Sequence, residues 1–362
     1  MYLTFYKKLQ KEEYTIFDYL NKKPYEDTVV YRKMTLEVKY NPRTFDLNRF
    51  NIYIEILKAL ANKYQNRNLN QEYTTFYIPK HSGGLRQINA PKEELMKDLK
   101  DFKTVISQNI KALEHNAAYA YVTNRNCKAA LEIHQKNKSR WFLKLDIKKF
   151  FPSCTPEFTV KMLHQVFPFN NCTEETLHNI FSICFKDNGL PQGTPTSPLL
   201  TNLLMVPIDY EIQKYANAHH LIYTRYADDL LISSAYDFNW KDVQKEIKKI
   251  FKKFEAPFTL NAEKTRYGSN AGRNWNLGLM YNKDHNITIG ANKKRYFKAM
   301  LNNFCRDFSN HHYWSRDDVY KLNGIISYYK SIEPSYINHL ITKYEEQYSV
   351  NLKAAFKYIL NV

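Results

Sequence analysis

Cysteine is scarce, and its spacing argues against two kinds of structural cross-link. The 362 residues include five cysteines, an odd number, and no two of them form a Cys-x-x-Cys pair. The odd number argues against a framework of disulfides, and the missing pairs argue against a structural zinc site. We therefore expect a protein of a reducing cytoplasm.

Long apolar runs are also missing. The first residues, MYLTFYKKLQKEEY, lack the apolar core of a signal peptide, and no stretch reaches the roughly 20 apolar residues that span a bilayer. We expect neither export nor a membrane partner. Because internal repeats and low-complexity linkers are absent from the sequence, a chain of this length is expected to fold as two or three subdomains around sizeable cores.

Acidic residues are few relative to basic ones. There are 36 Asp and Glu against 53 Lys and Arg, which gives a formal net charge of +17. Hydrophobic residues make up 44% and aromatic residues 15% of the chain, as in a globular protein. Basic grooves with aromatic side chains suit phosphates and stacked bases, so we expect nucleic acid rather than an acidic membrane as partner. A generally basic protein without such a partner is the alternative.

Two adjacent carboxylates, Asp228 and Asp229, interrupt the apolar segment 221–234. Uncompensated buried charge is costly, so the pair is either exposed at a hairpin turn or neutralised by a cation such as Mg²⁺, which prefers hard oxygen ligands. Asp146 lies in a strand predicted at 141–147 and is the candidate for a third carboxylate. Each feature alone has a simpler interpretation, a strand-end carboxylate for Asp146 and a turn pair for the other two.

Three carboxylates on neighbouring strands of one sheet can hold two Mg²⁺ ions about 3.5–4 Å apart, and Mn²⁺ fits the same oxygen ligands. Two such ions activate an attacking hydroxyl and stabilise a leaving pyrophosphate. Together with a basic hairpin and a Pro-Gln-Gly loop elsewhere in the chain, the carboxylates favour nucleotidyl transfer.

The pattern of apolar residues, glycines and prolines predicts helices alternating with strand pairs. Segments 73–80 and 85–89 form a predicted hairpin with Gly83 and Gly84 at its tip and basic residues on both arms. The loop 189–198 precedes a helix that should bend near Pro207. Further helices are predicted over most of residues 1–70, over 92–113, from Thr155, after Thr173, over 240–254 and over most of 293–362.

In this order the motifs resemble those of bacterial reverse transcriptases of the retron type, over about residues 73–345. The Tyr-Ala-Asp-Asp tetrapeptide at 226–229 would by itself only suggest the resemblance, but the combination is specific. The matching segments are residues 78–91, 143–153, 190–198, 223–230, 260–265 and 277–279.

The resemblance implies an α+β right-hand polymerase fold, in which a palm of antiparallel sheet and helices lies between fingers and a short helical thumb. The implied boundaries are an N-terminal helical extension at 1–70, fingers at 71–135, a palm at 136–290 and a thumb at 291–362. Helices of the fingers are expected within the palm segment, at about 155–188.

The resemblance also implies roles for individual residues. Asp146, Asp228 and Asp229 would ligate the metal ions, helped by the backbone carbonyl of Ile147. Phe151 would exclude a ribose 2′-hydroxyl, Gln192 would contact the incoming nucleotide, and Lys80 and Arg86 would bind the triphosphate. Lys264 would donate a proton to pyrophosphate or stabilise it. Tyr226 would pack at the primer terminus, and Leu277 and Gly278 would form a primer grip.

Without the resemblance these residues have other interpretations. Phe151 is as well explained by the core, Gln192 by a surface turn, and Lys80, Arg86 and Lys264 by solvent-exposed charge.

Two segments depart from the retron pattern. Residues 130–134 keep only His134 of the Asn-Ala-x-x-His signature, and a lone His is more often structural than functional. Asn276, Leu277 and Gly278 stand where retron enzymes carry Val-Thr-Gly. A related defence-associated or abortive-infection reverse transcriptase is therefore implied at least as strongly as a retron enzyme.

The leading hypothesis is an RNA-directed DNA polymerase of antiphage defence. It would copy a dedicated structured non-coding RNA with dNTPs and hold an RNA/DNA duplex, and its oligomeric state stays open. Template-independent or protein-primed DNA synthesis, an RNA-binding scaffold with little catalysis, and a metal-dependent nuclease are the alternatives.

Overall fold

The computed structural model describes residues 45–80, 83–110, 114–269 and 276–361. Most of the predicted N-terminal extension, residues 1–44, lies outside these ranges. The described residues form two compact units, one that ends at Ser269 and one that comprises residues 276–361. Both combine helices with antiparallel strands, as an α+β protein does.

Local sequence signals set the helix ends of the first unit. The Thr155 side chain accepts a hydrogen bond from the N–H of Phe158, and Pro156 takes the first helical position, as predicted. The predicted bend near Pro207 is a break between two helices, because proline has no N–H to continue the hydrogen-bond ladder. The helices are α1 (Leu47–Asn62), α2 (Glu93–Thr104), α3 (Cys127–Lys136), α4 (Phe150–Ser153), α5 (Pro156–Leu163), α6 (Glu174–Phe181), α7 (Thr196–Leu204), α8 (Val206–Ala218) and α9 (Trp240–Lys253).

A two-stranded hairpin precedes the main sheet of the first unit. β1 (Tyr73–Pro79) pairs antiparallel with β2 (Leu85–Pro91), and Gly83 and Gly84 both have positive φ at the predicted turn. The N–H of Asn89 donates to the carbonyl of Gln192 over 2.7 Å. This main-chain bond ties the hairpin to the loop that precedes α7.

The main sheet is antiparallel, and its strand order is β4-β5-β3-β6. Leu145 lies opposite Leu230 across the β3–β5 pair, and both side chains belong to the hydrophobic core. Asp146 follows Leu145 and lies opposite Asp229; because successive side chains in a strand alternate, this acidic pair occupies the other face. The strands are β3 (Trp141–Asp146), β4 (Ile222–Tyr226), β5 (Asp229–Ser234) and β6 (Arg266–Ser269).

The second unit is mainly helical, as predicted for residues 293–362. Its helix α10 packs against α12, and α11 packs against α12 and α13. In the described parts of both units, no helix is long and apolar enough to span a bilayer. The elements of this unit are β7 (Met280–Tyr281), β8 (Ile287–Thr288), α10 (Ala291–Ser309), α11 (Arg316–Ile332), α12 (Pro334–Tyr348) and α13 (Leu352–Asn361).

Candidate active site

The hairpin formed by β4 and β5 carries two of the three predicted catalytic carboxylates. Tyr226 ends β4 and pairs with Asp229 at the start of β5, so Ala227 and Asp228 alone form the turn. Ala227 has a φ of 55°, in the left-handed region that favours glycine. The hairpin thus presents adjacent carboxylates at one end of the sheet on a strained backbone.

Strand register brings Asp146 to the same end of the sheet, directly opposite Asp229. The N–H of Ile147 donates to the carbonyl of Asp228 over 3.0 Å, and the N–H of Asn261 donates to the carbonyl of Asp146 over 2.8 Å. Main-chain bonds therefore fix the backbone of the acidic residues. The structure brings together the three carboxylates that the sequence predicts to meet.

The clustered carboxylates repel one another. Desolvation first, and then the charge of Asp146, raises the pKa of Asp228. Desolvation, followed by the charges of Asp228 and Asp146, raises the pKa of Asp229 to about 7. Asp229 is solvent-exposed and lies beside Asp228 and opposite Asp146, so repulsion between like charges acts on it. A cation among these groups would lower both pKa values by favouring the charged forms.

The donor set suits a hard divalent cation. Carboxylate oxygens and a backbone carbonyl such as that of Ile147 are the ligands that Mg²⁺ and Mn²⁺ prefer, and the mutual repulsion of the carboxylates gives cation binding a physical reason. Within the described ranges, no group of three or more His, Cys, Asp or Glu side chains already stands in a coordinating arrangement. Asp146 is instead engaged by Lys264.

Lys264 lies beside the carboxylates. Its Nζ donates to Oδ1 of Asp146 over 2.7 Å, and this hydrogen bond raises the pKa of Lys264, so the ammonium is charged at neutral pH. The lysine side chain is 56% exposed while that of Asp146 is 10% exposed. Lys264 thus contacts one of the predicted catalytic carboxylates while most of its side chain remains open to solvent.

A buried ion pair supports the hairpin, and the sequence interpretation missed it. The side chains of Arg225 and Asp209 are inaccessible to solvent, and Arg225 Nη2 lies 2.7 Å from Asp209 Oδ2. The Tyr223 hydroxyl also donates to Asp209, over 2.7 Å. Arg225 Nη1 donates to the carbonyl of Ala227 over 3.2 Å, so the network reaches the turn between β4 and β5. The sequence does carry a sign of this ion pair, which is an arginine inside an apolar strand. A buried cation of this kind needs a partner of opposite charge.

His134, the remnant of the retron signature, joins the two hairpin strands. Its ring nitrogens lie 2.5 Å from the Ser233 hydroxyl and 2.8 Å from the Thr224 hydroxyl. Burial lowers the pKa of His134 to about 3, so the ring is neutral at physiological pH. These contacts give the histidine a structural role within the first unit.

The predicted gate residue Phe151 is half-buried between two aromatic rings. Its ring centroid lies 5.7 Å from that of Phe150 and 6.4 Å from that of Tyr121. Its carbonyl accepts from the N–H of Leu190 over 3.2 Å, which anchors the loop that contains Gln192. The ring packs on its aromatic neighbours and is half-buried, and the gate role of Phe151 stays a prediction.

Gly193 allows the loop that carries Gln192 to approach β2 closely. It has a φ of 121°, and a Cβ built on it would lie 2.8 Å from the carbonyl oxygen of Asn89. Only glycine fits this position without a shift of the backbone. The half-exposed Gln192 side chain is therefore positioned by its neighbour and by the Asn89 hydrogen bond.

We expect Gly193→Ala to raise the KM for dNTPs by roughly tenfold. The added Cβ would clash with the carbonyl of Asn89 and would introduce about 1–3 kcal/mol of backbone strain, and the Gln192 loop would move to relieve both. Steady-state primer extension would measure this effect. Gly268→Ala is the control, since a Cβ there meets nothing within 4 Å. An unchanged KM in the Gly193 variant would show that the loop does not contact the nucleotide.

The two predicted triphosphate-binding residues lie on the hairpin. Arg86 is exposed on β2, and its charge partly offsets the rise in the pKa values of Asp228 and Tyr121. Lys80 is exposed after β1, and its N–H donates to the carbonyl of Gly84 over 3.0 Å.

The primer-contact predictions fall in both units. Tyr226 is half-buried beside the turn between β4 and β5. In the second unit, Leu277 and Gly278 have φ of 51° and 76° in a tight turn, across which Asn276 and Leu279 exchange both main-chain hydrogen bonds. This turn precedes β7, and its role remains a prediction.

Comparison of the whole sequence defines the class of protein. The family model described as reverse transcriptase (RNA-dependent DNA polymerase) matches residues 78–298, more than half of the chain and all three carboxylates. The chain belongs to the reverse transcriptase family. It is an RNA-directed DNA polymerase with the right-hand polymerase fold.

Relatives of the chain include retron enzymes. It is 30% identical to retron Ec83 reverse transcriptase of Escherichia coli over 294 residues, which cover 78% of this chain and 89% of the relative. It is 31% identical to retron Ec73 reverse transcriptase of the same species over 285 residues, which cover 75% and 86%. The predicted resemblance to retron-type enzymes is confirmed. A solved apo telomerase from Candida tropicalis matches 82% of this chain and 63% of its own, with 13% identity and a TM-score of 0.48.

Proposed function

We propose that this chain copies a dedicated structured RNA into complementary DNA by two-metal nucleotidyl transfer at Asp146, Asp228 and Asp229. The observation that carries the proposal is the register that sets Asp146 opposite Asp229, with the carbonyl of Asp228 bonded to the N–H of Ile147, the residue that follows β3. Carboxylates that repel one another at the end of a sheet are stabilised by divalent cations.

In the reaction, the 3′-hydroxyl oxygen of a primer attacks the α-phosphorus of a dNTP and loses its proton to water. The new P–O bond forms as the bond from the α-phosphorus to the bridging oxygen breaks, and pyrophosphate leaves. Asp146, Asp228, Asp229 and the backbone carbonyl of Ile147 would hold Mg²⁺, which would lower the pKa of the hydroxyl and neutralise charge on the leaving group. Lys264, kept charged by Asp146, donates a proton to the pyrophosphate or stabilises its charge.

Residues around the carboxylates select and hold the nucleotide. Phe151 excludes a 2′-hydroxyl by contact with the sugar, and Gln192 contacts the nucleotide from its anchored loop. Lys80 and Arg86 bind the triphosphate from the hairpin, since both side chains are exposed cations suited to phosphate. Tyr226, Leu277 and Gly278 contact the primer.

The proposed partner is a structured non-coding RNA, held with its cDNA as an RNA/DNA duplex. The net charge of +17 supports a polyanionic partner, and the retron relatives support a dedicated template. In this proposal residues 71–135 are the fingers, 136–290 the palm and 291–362 the thumb. A role in antiphage defence rests on the resemblance, and a bacterial cytoplasm suits cysteines that are all free.

Sequencing of co-purified nucleic acid tests the proposal. Wild type and Asp228→Asn/Asp229→Asn would be expressed with native flanking DNA, and Glu174→Gln/Glu175→Gln, an adjacent acidic pair in the first turn of α6, is the control. We expect one defined RNA in all three and complementary DNA only in wild type and control. DNA unrelated to any RNA would favour template-independent or protein-primed synthesis, and RNA without DNA in every sample would favour a scaffold.

A further inference from the structure

The loop before α3 is held against the edge strand of the main sheet. The N–H of Arg225 donates to the carbonyl of Ala117 over 2.6 Å, and the N–H of Tyr119 donates to the carbonyl of Arg225 over 2.8 Å. Ala118 forms a parallel bridge with Arg225. The path of this loop is thus fixed by the same strand that leads into the catalytic turn.

Hydrogen bonds from side chains also hold this loop in place. The Arg125 guanidinium donates to the carbonyls of His115 over 3.0 Å and Ala118 over 2.7 Å, and it lies over the Tyr119 ring at 5.6 Å. The amide of Asn202 in α7 donates to the carbonyl of Ala120 over 2.8 Å. The residue that follows Ala120 therefore starts from an anchored backbone.

That residue, Tyr121, combines backbone strain with exposure. Its φ of 62° lies in the left-handed region, which is a marked outlier for a bulky side chain, and its surface is 59% exposed. Packing does not explain an exposed aromatic residue in such a conformation. Strained residues that are held by anchored surroundings cluster at functional sites.

The side chain of Tyr121 contacts the predicted gate residue Phe151. Its ring meets that of Phe151 edge-on, with centroids 6.4 Å apart and planes inclined at 61°. Partial desolvation, and then the charge of Asp228, raises the pKa of Tyr121, and the charge of Arg86 opposes this rise. The ring contacts place Phe151 between Phe150, which belongs to the core, and an anchored tyrosine.

We propose that Tyr121 is a positioning residue that holds the Phe151 ring against the sugar of the incoming nucleotide and so sets the preference for dNTPs over rNTPs. The inference rests on the gate role of Phe151 in the proposed function. A gate excludes a 2′-hydroxyl only while its ring cannot turn aside. Edge-on aromatic pairs contribute enough energy to restrain such a ring.

The test is the ratio of kcat/KM for dGTP to that for GTP on a primed RNA oligonucleotide with a templating cytosine. It would be measured for wild type and for Tyr121→Ala, Tyr121→Phe, Phe151→Ala and the Tyr121→Ala/Phe151→Ala double variant. We expect Tyr121→Ala to lower the ratio several-fold to about tenfold, chiefly by improving GTP incorporation. Tyr121→Phe should keep the wild-type ratio, because the ring edge makes the contact.

The double variant should discriminate no less than Phe151→Ala alone, because the tyrosine acts through the phenylalanine. Tyr236→Ala, at an 81% exposed tyrosine, is the matched control and should leave the ratio unchanged. Thermal unfolding of each variant checks that the fold is intact.

Three outcomes would overturn the inference. If Phe151→Ala relaxes discrimination and Tyr121→Ala does not, the gate stands and the role of Tyr121 is wrong. If Tyr121→Ala slows dGTP and GTP equally, the tyrosine is merely structural. If Phe151→Ala leaves the ratio unchanged, the gate itself is wrong, and the inference falls with that part of the proposed function.

Discussion

Asp228→Asn/Asp229→Asn is expected to lose DNA synthesis by about a thousandfold or more while remaining folded. Metal-bound carboxylates supply several kcal/mol of transition-state stabilisation, and each 1.4 kcal/mol is about tenfold in rate. The substitutions also remove like charges that raise the pKa values of both residues, so the unfolding midpoint in EDTA should match or exceed that of wild type. Primer extension on an RNA template and thermal unfolding would measure the two effects.

DNA synthesis should fall while the unfolding midpoint stays the same or rises, and this combination makes the prediction specific. Glu174→Gln/Glu175→Gln removes an adjacent acidic pair from the first turn of α6 and should leave synthesis near wild-type level. If the Asp228/Asp229 variant kept a tenth of the activity, other ligands would carry the reaction. If it were inactive and also markedly less stable, its inactivity would reflect folding.

Arg225→Met should have the largest effect on stability, lowering the free energy of unfolding by about 3–5 kcal/mol. The substitution leaves Asp209 as an unpaired charge in a site from which solvent is excluded, and breaking a buried pair in this way costs far more than the pair contributes. Because Arg225 also donates to the carbonyl of Ala227, we expect DNA synthesis to fall as well. Urea denaturation of the full chain would measure the loss.

The double variant Arg225→Met/Asp209→Leu separates charge from packing. An apolar pair of similar volume removes both buried charges, so much of the lost stability should return, although the Tyr223 hydroxyl loses its acceptor. Lys249→Met breaks an exposed ion pair with Glu246 and should change little. Equal destabilisation in the single and double variants would mean that packing, and not the buried charge, explains the loss.

The meeting of the three carboxylates could be predicted from the sequence because it follows from local patterns. Two acidic residues at a turn between apolar strands, and a third at the end of another strand, leave few arrangements in one antiparallel sheet. Capping at Thr155 and the helix break at Pro207 were readable for the same reason, since each depends on its immediate neighbours.

Other parts of the site depend on how distant segments meet, which residue spacing does not encode. Asp209, the partner of Arg225, lies on a helix, and only packing of that helix on the sheet brings them together. The hydrogen bond from Asn89 to Gln192 joins main-chain atoms, so the identity of the side chains does not predict it. The contact of Tyr121 with Phe151 requires the path of the 114–126 loop, which has no periodic pattern.

The loop along β4 has a consequence for self-association. A strand at the edge of a sheet offers unpaired N–H and C=O groups that can template pairing with another chain. At Arg225 both groups are already bonded to Ala117 and Tyr119 of the same molecule. The segment that presents Tyr121 therefore also covers part of this edge, and shortening it would expose a template for aggregation next to the turn between β4 and β5.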